Sequence, residues 1–63
     1  MNYSELARLM KKAGWQFDRN GKGSNKIWRH PERQYQIPIP DHGRKEIKPN
    51  LVRAIIKQAG IQI

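Results

Sequence analysis

Trp15-Gln16-Phe17-Asp18-Arg19-Asn20-Gly21-Lys22-Gly23-Ser24-Asn25-Lys26-Ile27-Trp28-Arg29-His30 reads as a β-hairpin. Trp15, Phe17 and Arg19 alternate with Gln16 and Asp18, the period of two that gives a strand one apolar face. Asn20 to Ser24 hold two glycines among small polar residues, a composition suited to a turn that visits positive φ. A second strand follows from Asn25 to His30. Its alternation puts Ile27 on one face with Asn25 and Arg29, and Lys26, Trp28 and His30 on the other. Pro31 ends it.

Helices flank the hairpin. Upstream, Leu6, Leu9, Met10 and Ala13 recur at i, i+3, i+4 and i+7, which is one helical face. Asn2 suits the N-cap, with Glu5 three residues on to complete a capping box, and Gly14 stops the helix. Downstream, Tyr35, Ile37 and Ile39 alternate with Gln36 and Pro38 in a third strand. Pro38 has no N–H to give a ladder, so this strand belongs at an edge. A second helix opens near Pro49 and buries a stripe of Leu51, Val52, Ile55, Ile56 and Ala59 before Gly60.

The order is helix, three strands, helix. Short connections favour an antiparallel three-stranded sheet with both helices on one face. This is an α+β fold, α-β-β-β-α, with the topology of the double-stranded-RNA-binding domain. Sixty-three residues make one domain, 1–63, with a thin core and no room to enclose a large cofactor. Chemistry then belongs on a surface that a large partner completes.

Thirteen Lys and Arg against five Asp and Glu give a formal charge of +8. Such a field draws polyanions, and nucleic acid ranks first among them. The absence of cysteine removes disulfides and thiolate zinc sites. With two histidines and few carboxylates, no metal site and no cofactor is expected. No apolar run is long enough for a membrane span, and the start lacks the pattern of a signal peptide, so a complete cytoplasmic protein is expected.

Several short motifs, weak singly, stand in a telling order. They are Gly14-Trp15, Gly23-Ser24-Asn25, His30-Pro31, Ile39-Pro40-Asp41-His42, Lys45-Glu46-Ile47-Lys48 and Lys57-Gln58-Ala59-Gly60. Together they span nearly the whole chain, and the sequence resembles the HicA family of toxins. That family carries Gly-Ser-His where this chain has Gly23-Ser24-Asn25. The resemblance implies an endoribonuclease that cuts messenger RNA and is neutralised by a HicB-type antitoxin. It further implies that position 25 holds the general base. Histidine suits that task because it titrates near neutral pH; asparagine does not titrate. This chain is therefore expected to be inactive or attenuated while still binding RNA. Asn25 reads as a silencing replacement or as a natural departure, and the intact remainder of the pattern favours the former.

Arg19, Lys22, Gly23, Ser24, Lys26 and Lys45 are the expected RNA contacts, the lysines and arginine against phosphate and the turn as its cradle. Lys48, Arg53 and Lys57 extend the basic patch along the second helix. His42 is a secondary candidate, for orienting its loop or touching RNA. His30 is expected to be a solvated strand-end residue. Trp15, Phe17 and Tyr35 are expected in the core. Trp28 is weighed between base stacking and packing or antitoxin contact, with the latter preferred. The alternative to a toxin enzyme is a non-catalytic double-stranded-RNA-binding module.

Overall fold

A computed structural model describes residues 1–62 of the chain. The elements are α1 (Tyr3–Lys12), β1 (Gln16–Asn20), β2 (Asn25–Arg29), β3 (Ile37–Pro40) and α2 (Pro49–Ala59). The strands lie in the order β1-β2-β3, all neighbours antiparallel. β3 is an edge strand, as Pro38 requires.

Both helices begin and end where their sequence dictates. The Asn2 side chain accepts from the Glu5 N–H at 3.0 Å, and the Glu5 carboxylate accepts from the Asn2 N–H at 2.9 Å. After α1, Trp15 N–H reaches back to Met10 C=O at 2.9 Å and Gly14 N–H to Lys11 C=O at 3.0 Å. This Schellman closure needs a left-handed residue, and Gly14 supplies it with φ of 92°. α2 closes in the same way around Gly60, with Ile61 N–H donating to Ile56 C=O at 3.1 Å. Pro49 stands in its first turn.

One core holds these parts together. Leu6, Ala7 and Met10 of α1 and Ile55 and Ala59 of α2 meet Trp28, Ile37 and Ile39 of the sheet, with Trp15 and Ile47 from the connections. The register puts Trp28 opposite Ile37 and Lys26 opposite Ile39, so these residues share the face under the helices. The other face, bearing Asn25, Ile27 and Arg29, has no helix on it. Trp15 closes the core at the α2 end, donating its indole N–H to Ala59 C=O at 3.1 Å.

Four expectations about single residues need correction. Phe17 is 48% exposed, because β1 is the outer strand beyond the helices' cover; its ring meets only the edge of Trp28, with centroids 6.2 Å apart. Tyr35 is 43% exposed and precedes β3 rather than lying in it. Its hydroxyl donates to Gln58 C=O, so it ties the β2–β3 loop to α2. Leu51 is 42% exposed in the first turn of α2, and the buried stripe is narrower than its apolar residues imply. His30 is half-buried rather than solvated. Its Nδ1 accepts from Glu32 N–H at 3.0 Å, which leaves Nε2 to donate to Ala13 C=O at 3.1 Å.

A further correction concerns β1. Phe17 pairs with Trp28 but Arg19 pairs with Ile27, so Asp18 and Arg19 together oppose one residue. This β-bulge breaks the alternation. Arg19 consequently leaves the face of Phe17 and joins Ile27 on the open side of the sheet.

Candidate nucleic-acid interface

Asn25 begins β2 at the mouth of the glycine turn. The turn is closed by its own backbone: Gly21 N–H donates to Asn25 C=O at 2.8 Å, and Asn25 N–H to Lys22 C=O at 3.2 Å. Gly23 holds φ of 65° at the tip, where a methyl group would meet nothing within 4 Å. Lys22, Gly23 and Ser24 are fully exposed, and Asn25 is half-buried.

The second wall comes from the loop after β3. Asn25 pairs with Pro40 across the sheet, which carries the chain past the turn. Asp41 N–H then donates to Ser24 C=O at 2.9 Å, and the Asp41 carboxylate turns the loop by accepting from Gly43 N–H at 3.0 Å. His42 thereby comes beside the turn, its Nδ1 3.5 Å from Ser24 Oγ. Lys45 follows on the same loop, exposed, its N–H directed at His42 C=O at 3.4 Å. Ser24, Asn25, Asp41 and His42 are thus gathered from two segments well separated in the chain, with Lys22 in the turn and Lys45 three residues beyond His42.

Lys26 is placed differently. Strand alternation turns it to the helix side, away from Asn25, and its ammonium donates to Asn20 Oδ1 at 2.7 Å. Arg19 stands on the open face with Asn25 through the bulge. Trp28 is 1% exposed and donates its indole N–H to the Tyr3 hydroxyl at 3.2 Å. It is packed under α1, so base stacking on it is excluded. Burial raises the Tyr3 hydroxyl pKa, and its bond with Trp28 partly opposes that shift.

One group of residues on the open face joins Arg19, an expected contact, to three residues that were not expected at a site. Asp18 pairs with Arg19, lies 3.7 Å from Arg29 Nε and accepts from Gln36 Nε2 at 3.3 Å. Arg19 also donates to Gln36 Oε1 at 3.1 Å. Alternation with Phe17 already puts Asp18 on this side; the bulge adds Arg19 beside it, and nothing in the local pattern signals that meeting.

An apolar groove of about 630 Å³ lies elsewhere, between the amino terminus and α2, lined by Met1, Ile47, Pro49, Val52 and Ile56 with Glu46 and Arg53 at its rim. It holds no histidine. Among the described residues no three His, Asp or Glu side chains converge as metal ligands. No helix among them is long and apolar enough to cross a membrane.

Residues 3–61 match the family described as the HicA toxin of bacterial toxin-antitoxin systems. The chain belongs to the HicA toxin family. A probable mRNA interferase HicA of Pseudomonas fluorescens (strain Pf0-1) is 37% identical over 62 residues, 98% of either chain. A solved HicA3 and HicB3 toxin-antitoxin complex contains a chain of the same fold, with a TM-score of 0.81 and 32% identity over all of this chain and 98% of that one. A HicA toxin accordingly has this α-β-β-β-α architecture, and the fold expected from the sequence is the one found.

Proposed function

We propose that this HicA chain is an RNA-binding scaffold for messenger-RNA cleavage, silenced or attenuated at Asn25 and neutralised by a HicB-type antitoxin. The observation that carries the reading is the meeting of Ser24 and Asn25 with the Asp41-His42 loop at an exposed turn that also bears Lys22. The relative named as an mRNA interferase and the complex with HicB3 support it.

The reaction asks little of the protein. A general base takes the proton of a ribose 2′-hydroxyl, and the oxygen attacks the adjacent phosphorus. The bond to the 5′-oxygen of the next nucleotide breaks, that oxygen takes up a proton, and a 2′,3′-cyclic phosphate remains. Lys22, Lys45 and the turn amides are suited to the charge that builds on the phosphate. Histidine at position 25 would serve as the base without a metal. The Asn25 amide can hold a phosphate or hydroxyl by hydrogen bonding but cannot accept its proton. Loss of a general base typically costs about 10²–10⁴-fold in rate.

The test is to express the chain and its Asn25→His variant under tight control, following growth and transcript integrity together. Growth arrest and cleavage by the histidine variant alone would identify position 25 as the base. Cleavage by both places the base elsewhere, with His42 as the suspect. Cleavage by neither leaves a non-catalytic RNA-binding module, the second reading, which the asparagine itself favours.

A further inference from the structure

The uncovered face of the sheet carries a built charge network that the turn does not need. We infer that this face binds a single RNA strand running along β2, with Arg29 and Arg19 as phosphate anchors and Asp18 and Gln36 as the residues that aim them. The inference rests on the RNA-binding reading above and deepens it, by stating where the strand lies beyond position 25.

Three observations lead there. Asn25, Ile27 and Arg29 occupy alternate positions of β2 and so point to one side, the side without helices. Four residues of strand put Arg29 about 13 Å from Asn25, a separation suited to a phosphate a few nucleotides from the one at the turn. The floor between them is apolar, made of Ile27 and its cross-strand partner Pro38. Such a floor accommodates the apolar parts of sugars and bases without demanding a sequence.

The second observation is that the arginines are held. Asp18 pairs with Arg19 and lies 3.7 Å from Arg29 Nε, and Gln36 bridges Arg19 and Asp18 from the β3 side. Exposed ion pairs contribute little to stability, so a four-residue network on an open surface is poorly explained as a staple. What it does is fix the fork of Arg19 and set a carboxylate beside Arg29, two side chains that otherwise sweep freely. Both remain more than half exposed, with donors left for a ligand. Third, alternation puts Asp18 on this face, and the bulge delivers Arg19 to it beside Asp18. Bulges commonly re-aim side chains next to functional sites.

An acidic protein segment is the competing occupant. A single RNA strand is favoured because the anchors form a line continuous with Asn25, where the phosphodiester is expected, and because planar guanidinium forks match phosphate geometry.

The experiment measures affinity of the intact chain for a labelled single-stranded RNA oligonucleotide between about 50 and 200 mM salt, with thermal unfolding recorded alongside. Arg29→Ala should weaken binding several-fold and reduce the salt slope by about 0.7, one phosphate on a single strand. Arg29→Lys, which keeps the charge but not the fork, should restore the slope and only part of the affinity. Asp18→Ala raises the net charge from +8 to +9, as 13 basic residues then face four acidic ones. A merely basic surface would bind RNA more tightly; the aimed surface inferred here binds it less tightly, at unchanged melting temperature. The inference is overturned if Arg29→Ala leaves affinity and slope intact while Lys22→Ala and Lys45→Ala weaken both, because the strand then avoids this face although the protein still binds RNA. It is equally overturned if Arg29→Ala spares RNA but weakens a HicB-type antitoxin complex. Absence of RNA binding by the unaltered chain would overturn the functional reading as well.

Discussion

Single residues decide how tightly the turn and the helix ends are specified. Gly14 and Gly23 both hold positive φ, but a methyl group at Gly14 would come 2.8 Å from His30 Nε2, whereas at Gly23 it meets nothing within 4 Å. Gly14→Ala therefore adds a clash with a half-buried ring to the backbone strain, and Gly23→Ala adds strain alone. Strain of this kind costs about 1–3 kcal/mol. Urea unfolding should place Gly14→Ala at or above the upper end of that range and Gly23→Ala near the lower end. Equal losses would mean that His30 swings aside without cost. The same scale shows which single residues were legible. Trp28, although flanked by basic residues, is packed as the preferred reading had it, against Ile37 and the Tyr3 hydroxyl. Phe17 looks like core by its own alternation and is left half-exposed by the strand's place at the edge.

At the scale of elements, the helices were legible because their signals are local: a capping residue, a glycine stop and a 3.6-residue stripe lie within one segment. The bulge was not, since its extra residue is defined only by the partner strand. Neither was the meeting of His42 with Ser24, which follows from the pairing of Asn25 with Pro40. The tie between α1 and the segment entering α2 was equally hidden. The Met1 amino group binds the Glu46 carboxylate, and Met1 C=O accepts from Ile47 N–H at 2.8 Å. The hydrogen bond with Glu46 raises the amino-group pKa above its ordinary value of 8.0. A group with a raised folded-state pKa stabilises fully below the unfolded value and stops doing so as pH rises through the folded value. The Tyr3 hydroxyl, raised from 10.0 chiefly by burial, acts with the same sign at higher pH. Melting temperature should thus fall as pH rises above about 8, and Glu46→Gln should remove the first part of the fall and leave the part due to Tyr3. A melting curve independent of pH from about 7 to about 11 would show that neither group is held as described.

Over the whole molecule, the surplus of eight positive charges governs association more than stability. That surplus was the most direct functional signal in the sequence, although the sequence could not say which cations converge. Lys22 stands at the turn and Lys45 on the loop that meets it, Arg19 and Arg29 line the open face, and strand alternation turns Lys26 to the helix side, where it binds Asn20. If four cations each neutralise one phosphate of a single strand, log affinity should fall with log salt at a slope of about −2.8. A rise from about 50 to 200 mM salt would then weaken RNA binding by about 50-fold. An antitoxin that covered the groove beside α2 would gain apolar contact with Val52 and Ile56 that salt does not screen. The complex with a HicB-type antitoxin should consequently persist at salt concentrations that release RNA, and its formation at low salt should displace bound RNA from the turn. Fluorescence anisotropy of labelled RNA, with antitoxin added at each salt concentration, measures both effects. An antitoxin complex that dissolves as steeply with salt as the RNA complex would mean that both partners hold the chain through charge alone.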